Sequence, residues 1–317
     1  MNEGEVIAFS GGVGGAKLSK GLSEVLDAKD ITIVVNTGDD FDHLGLRICP
    51  DIDSTLYALA GLDDPVRGWG RRDETWTFMS ALKQLNAPGW FNLGDGDLAT
   101  HVERSWRLHE GQSVSDVTRH LARSLGISAD IIPMTDDTVR TRVRTSDGWI
   151  DFQSYFVGMR CEPVIEAIEF QGAADARPHP DALAALRGEA LRAAIICPSN
   201  PLLSIDPILA MPEMRQALFA CRAPRIAVSP IIAGKAVKGP AAKIMAELGM
   251  VPSASAVAQY YEGLIDIFVL DEADADAKLP TGMQRVVAST LMQDAEDKRR
   301  LARIVLAAAA DLARAAR

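Results

Sequence analysis

Apolar positions first gather into a short run, Glu5 to Phe9, followed by Ser10-Gly11-Gly12-Val13-Gly14-Gly15 and then by Leu18, Leu22, Val25 and Leu26 at helical spacing. That order predicts strand, glycine loop, helix. Ile31 to Val35 is a second β-branched run, ended by Asn36-Thr37-Gly38-Asp39-Asp40. Near-continuous apolar strands of this kind belong to parallel sheets covered on both faces, so a βαβ unit opens the chain. From about Trp76 to Leu125 the period turns helical, with Phe78, Leu82 and Leu85 on one face and Val114, Val117, Leu121 and Leu125 on another. Val139 to Thr145 then alternates strictly, with Val139, Thr141, Val143 and Thr145 on one side and arginines on the other. Asp147-Gly148 ahead of Trp149 to Phe152 marks a hairpin.

After a polar link around Gln171 to Pro180, parallel-type strands are expected at Ala193–Cys197, Arg225–Ser229 and Ile265–Leu270, with helices between them. One helix lies between Pro240 at its first turn and Gly249 just past its end. The last, from about Asp294 to Arg314, should bury Leu301, Ile304, Val305 and Leu312. The fold class is therefore α/β, a doubly wound, Rossmann-like parallel sheet with a helical and β-hairpin insertion. Residues 1–65 and 191–317 form the two parts of the core, and 66–190 the insertion. Ligands of such sheets sit at the carboxyl ends of the strands, which gives the loops there the most weight.

Composition narrows the function. With 33 Lys+Arg against 43 Asp+Glu the net charge is −10, which argues against nucleic acid as partner. Cys49, Cys161, Cys197 and Cys221 form no CxxC pair, so neither zinc nor a disulfide framework is indicated and a reduced, cytoplasmic protein is expected. The acidic start MNEGEVIAF does not fit a signal peptide, and no apolar stretch approaches a membrane span.

The loop Gly11-Gly12-Val13-Gly14-Gly15 stands where backbone N–H groups and a helix N-terminus meet an anion, although it fits neither GxGxxG, which needs glycine at Lys17, nor the Walker pattern. Thr37-Gly38-Asp39-Asp40-Phe41-Asp42-His43 and Pro50-Asp51-Ile52-Asp53-Ser54-Thr55 place five aspartates within 15 residues. Some would be plain N-caps, as Asp53 or Ser54 for a helix starting near Thr55. As a functional set they suit a hard cation, magnesium, which takes carboxylate and phosphate oxygens. Leu93-Gly94-Asp95-Gly96-Asp97 precedes a helix at Leu98 to Arg107 and reads equally as a turn. Ser199-Asn200-Pro201, Ser204, Ser229-Pro230 and Gly234-Lys235-Ala236-Val237-Lys238-Gly239 supply hydroxyls, an amide and lysines at strand ends. His43 alone among the histidines lies in an aspartate-rich loop. Trp69 to Trp76 would wall an aromatic ligand or anchor an interface.

These motifs, with Gly68-Trp69-Gly70 and Ser229 to Lys235, resemble in order and spacing the 2-phospho-L-lactate transferase family (CofD, called FbiA in actinobacteria) of coenzyme F420 biosynthesis, over nearly the whole chain. The resemblance implies a Mg²⁺-dependent enzyme that moves a phosphorylated acid (2-phospho-L-lactate, phosphoenolpyruvate or 3-phosphoglycerate) from a guanosine diphosphate ester to the deazaflavin Fo. The terminal ribityl hydroxyl attacks phosphorus and GMP leaves. Asp53 would be the acceptor-site aspartate, acting with Asp39 and Asp40 in catalysis and with Asp39, Asp40 and Asp51 on metal. The acceptor is expected near Asp53, Thr37, His43, Asp95, Gly96 and Asp97. The donor nucleotide is expected near Gly11, Gly12, Val13, Gly14, Gly15, Lys17, Ser199, Asn200, Ser204, Ser229 and Lys235. Position 96 is Lys or Arg in many relatives and glycine here. The competing expectation is a non-enzymatic relative that binds a UDP-sugar. A homodimer is the default assembly.

Overall fold

Val6, Ile7, Ala8 and Phe9 are all fully buried, as a strand covered on both faces requires: Val6 and Ala8 pack into one core, Ile7 and Phe9 into another. They form β1 (Glu5–Ser10). The computed structural model describes residues 4–236 and 240–315, so Val237, Lys238 and Gly239 of the expected lysine-bearing loop lie outside the described residues. The chain continues through α1 (Gly12–Val25), β2 (Ile31–Val35), the hairpin β3 (Phe41–His43) and β4 (Leu46–Ile48), and α2 (Pro50–Ala60). Then come α3 (Thr77–Gln84), α4 (Asp95–His109), α5 (Val114–Ser124), β5 (Asp130–Pro133), β6 (Arg140–Thr145), β7 (Gly148–Asp151) and β8 (Ala167–Gln171). The last part holds α6 (Pro180–Arg187), β9 (Leu191–Ile196), α7 (Asp206–Leu209), α8 (Pro212–Ala220), β10 (Arg225–Val228), β11 (Ile231–Ile232), β12 (Lys235–Ala236), α9 (Ala241–Glu247), α10 (Ala254–Tyr260), β13 (Ile267–Leu270), β14 (Gln284–Val287) and α11 (Ala295–Ala315).

Among the described residues the main sheet has seven parallel strands in the order β14-β13-β10-β9-β1-β2-β5. The expected parallel α/β sheet is therefore present. The chain moves outward from β1 to β5, then returns to β9 and moves outward the other way. That reversal opens a crevice between the carboxyl ends of β1 and β9. The core containing Val6 and Ala8 includes residues of α1, α2, α5 and α11, while the opposite core includes residues of α6, α8, α9, α10 and the small sheet β7-β6-β8.

Three elements differ from expectation. β5 lies inside 66–190 yet pairs with β2, so that stretch contributes an edge strand to the main sheet. The β6–β7 hairpin gains β8 as a third strand. The α11 stripe shifts to Leu301, Ala302, Val305 and Ala309, leaving Ile304 and Leu312 half-buried. Among the described residues no helix is long and apolar enough to cross a membrane.

Candidate functional site

The crevice holds a cleft of about 600 Å³. Gly11 and, from α1, Gly12, Val13, Gly14 and Lys17 line it, with Pro198, Ser199, Asn200 and Ser204 from the segment after β9, Asp39 from the loop after β2, and Asp51 and Asp53 from the start of α2. Glycine is required here by close approach. A Cβ on Gly14 would stand 2.2 Å from the Pro198 carbonyl oxygen, and one on Gly11 would stand 2.8 Å from Asp51 Oδ2. The Gly11 N–H donates to Ser199 Oγ at 3.2 Å. With no side-chain cap and no acid in its first turn, α1 directs the positive end of its dipole into the cleft. Lys17 adds an ammonium whose Nζ donates to the Met292 carbonyl at 2.6 Å.

The carboxylates take different surroundings. Pro50 occupies the first position of α2, so Asp51 and Asp53 lie in its first turn, where the helix dipole favours them; the helix begins before the expected Thr55. Asp51 Oδ2 accepts from the Asn36 amide at 2.9 Å. Burial raises its pKa to about 6 despite bonds from Asn36 and the Gly12 N–H. Burial and then the charge of Asp51 push Asp39 well above the usual carboxylate range. Asp40 is held up at about 7 by burial and does not line the cleft. Asp53 is bonded to Arg104 through both guanidinium ends, with Arg104 Nη1 3.1 Å from Asp53 Oδ2. Burial opposes the Arg104 charge, but Asp53 outweighs it and holds the pKa above the ordinary arginine value.

Among the described residues no group of three or more His, Cys, Asp or Glu side chains is arranged to hold a metal ion. Asp39 and Asp51 remain as the pair on the cleft wall. Asp39 Oδ1, Asp40 Oδ1, Thr37 Oγ1, Thr141 Oγ1 and Ser10 Oγ are buried without a hydrogen-bond partner in the described chain. A site with two repelling carboxylates and an orphaned oxygen fits magnesium bound in its usual way, by one or two carboxylates with phosphate oxygens and water.

Beyond Asp53 runs a polar wall on α4. His101 Nδ1 is 3.6 Å from Asp53 Oδ2, His101 Nε2 is 3.2 Å from Asp97 Oδ2, and Tyr57 OH donates to Asp97 Oδ1 at 2.6 Å. Asp53, Tyr57, Asp97 and His101 all line the cleft. Aromatic surface completes it with Trp69, Phe91, Phe152 and Phe156.

The family model described as 2-phospho-L-lactate transferase CofD matches residues 6–310. The chain belongs to the CofD family. It is 39% identical over 306 residues to a 2-phospho-L-lactate transferase of Methanosarcina mazei, spanning 96% of this chain and 100% of that one. It is 40% identical over 314 residues to a phosphoenolpyruvate transferase of Kitasatospora aureofaciens, spanning 96% and 97%. A solved UPF0052-family structure from Bacillus halodurans shares the fold, with TM-score 0.61 at 16% identity over 96% of this chain and 99% of that one. With these CofD relatives the chain is an enzyme, a transferase.

The other residues expected at the CofD-type site divide between the cleft wall and its surroundings. Gly15 is buried behind the loop, against Ser10 and Ser199, while Ser229 lines the cleft. Lys235 is exposed on β12 and Thr37 is buried; neither lines the cleft. His43 packs with Phe41, Trp90 and Phe91, its ring 5.1 Å from that of Trp90, and burial lowers its pKa. The helix expected from Leu98 starts at Asp95. Glu74 accepts from the N–H groups of Gly96 and Asp97, while Arg71 donates to the Gly96 carbonyl at 3.1 Å. Asp95 turns away from the cleft and accepts from Thr75 Oγ1 and the N–H groups of Thr77 and Phe78, bonds that hold its pKa at about 2. Asp95→Ala is accordingly expected to speed amide hydrogen exchange at Thr77 and Phe78 while turnover stays close to wild type; a collapse of turnover would place Asp95 in the chemistry.

The apolar pattern of the sequence does not single out His101, Arg104 or Tyr57. The available signal was Asp97, His101 and Arg104 at i, i+4 and i+7, one stripe of α4. The buried residues of that helix are Asp97, Thr100, His101 and Arg104, whereas Val102 and Trp106 are 49% and 53% exposed.

Proposed function

We propose that this transferase moves a phosphorylated small acid from a guanosine diphosphate ester to the deazaflavin Fo, releasing GMP, as a step of coenzyme F420 biosynthesis. The observation that carries the proposal is the convergence of Gly11, Asp51 and Ser204 at one point, where a Cβ on Gly11 would meet both side chains within 2.8 Å. A pyrophosphate seated there has the α1 N-terminus and Lys17 on one side and the aspartates on the other. Asp39 and Asp51 would hold Mg²⁺ beside the donor phosphates, and the ion when bound would neutralise charge on the pyrophosphate.

The acceptor's ribityl chain would lie along Asp53, His101 and Asp97. Its terminal oxygen forms the new bond to the phosphorus bearing the acid as the bond to the GMP oxygen breaks. The hydroxyl proton passes to this polar wall, and GMP leaves with the electron pair of the broken bond. Asp53, fixed through Arg104, orients the hydroxyl. Cys49, Cys161, Cys197 and Cys221 do not line the cleft, and a direct transfer of this kind needs no covalent enzyme intermediate.

Purified protein given Mg²⁺, Fo and an equal mixture of the lactate, enolpyruvate and glycerate donors is expected to release GMP. Mass spectrometry should find one phosphodiester in excess, and chelation of the metal should stop the reaction. Tight binding of a UDP-sugar without GMP release would refute the proposal in favour of a sensor.

A further inference from the structure

Gln153 is a buried polar side chain without an intramolecular task. It is 5% exposed and lines the cleft. Its amide makes no hydrogen bond to the described chain. A glutamine amide carries both a donor and an acceptor, and from the cleft wall it can offer both to a bound ring in place of water.

The surroundings give that ligand a shape. Gln153 leads into a π-helical turn, Ser154–Gly158, closed by the Met159 N–H donating to the Ser154 carbonyl at 2.8 Å. Such turns are rare and concentrate at functional positions. Gln153, Phe156 and Val157, at i, i+3 and i+4, all line the cleft. Phe156 stacks on Phe152 with centroids 5.4 Å apart and planes within 5°, and it remains 36% exposed. The turn is anchored: Tyr155 is fully buried, and its hydroxyl accepts from Lys243 Nζ of α9 at 3.0 Å. Aromatic wall and amide are thus held in place before a ligand arrives.

We infer that Gln153, Phe152 and Phe156 form a subsite for a planar heteroaromatic ring bearing a lactam edge, an N–H beside a C=O. The Gln153 carbonyl accepts from the ring N–H and its NH₂ donates to the ring carbonyl, while Phe156 covers the ring face. The inference rests on the transferase proposed above, whose two substrates both carry such an edge, the guanine of the donor and the pyrimidinedione of the deazaflavin. The shared lactam chemistry defines the subsite, and the two sources are separated by experiment.

Calorimetric titration of wild type, Gln153→Leu and Gln153→Glu with GDP, ADP, Fo and N3-methyl Fo needs no turnover. Each variant is first checked for the wild-type melting profile. Loss of the paired edge is expected to weaken one ring by about tenfold in both variants and leave the other unchanged. A GDP effect, with preference over ADP reduced, assigns the donor base; an Fo effect, with discrimination against the N3-methyl form reduced, assigns the acceptor. Either ring bound by wild type, with neither weakened in the variants, would overturn the subsite alone. Wild type binding neither ring would overturn both the subsite and the transferase on which it rests.

Discussion

Replacing Arg104 with leucine is expected to lower the unfolding free energy by about 3–5 kcal/mol, read as a shift in the denaturant midpoint. Arg104 is 1% exposed and the largest fully buried side chain among the described residues, set against a carboxylate that is itself 5% exposed. Removing the guanidinium leaves the largely buried Asp53 charge without its ion-pair partner and removes the donor to the Arg47 carbonyl. The double variant Arg104→Leu with Asp53→Leu should be less destabilised than Arg104→Leu alone, because no uncompensated charge then remains. A double variant destabilised more than Arg104→Leu alone would show that the pair is not coupled, and Asp53 would lose its assigned anchor.

Asp51→Asn should have opposite effects on function and fold. Turnover is expected to fall by at least about 100-fold, because under the proposed function Asp51 would hold Mg²⁺ at the pyrophosphate, where charge changes in the transition state. The melting temperature should be equal to or above that of wild type. Asparagine keeps an oxygen for the Asn36 amide and removes the like charge that pushes Asp39 up. Added Mg²⁺ should raise the wild-type melting temperature more than that of the variant, since binding to the native state stabilises by mass action. Turnover within a few-fold of wild type would move the metal away from Asp51.

The sequence made the central strands plain and left the edges hidden. β1, β2, β9, β10 and β13 are buried on both faces and consist almost entirely of apolar residues, so their runs are unmistakable. β5 is only four residues, so its apolar pair Ile131 and Ile132 makes too short a run to stand out although each packs into a different core; β14 is mostly exposed and has no apolar run to show. The glycine and aspartate motifs did converge, because strand-end loops of a doubly wound sheet must share one rim. The α4 wall stayed hidden because helix reading assumes that apolar residues face inward, and here the buried stripe is polar. The π turns at Ser154–Gly158 and Pro201–Ile205 were equally beyond a period of 3.6.

The cleft depends on partners far apart in the chain: the Gly11 amide meets Ser199 across 188 positions. During synthesis the amino-terminal half emerges with its aspartates and its glycine turn, but without the opposite wall. A nascent chain halted before Leu191 would therefore carry most of the acidic side without β9 and Ser199 to close the cleft. Substrate would engage the protein only after β9 had docked beside β1, and ligand binding would serve as a timer for the completion of folding.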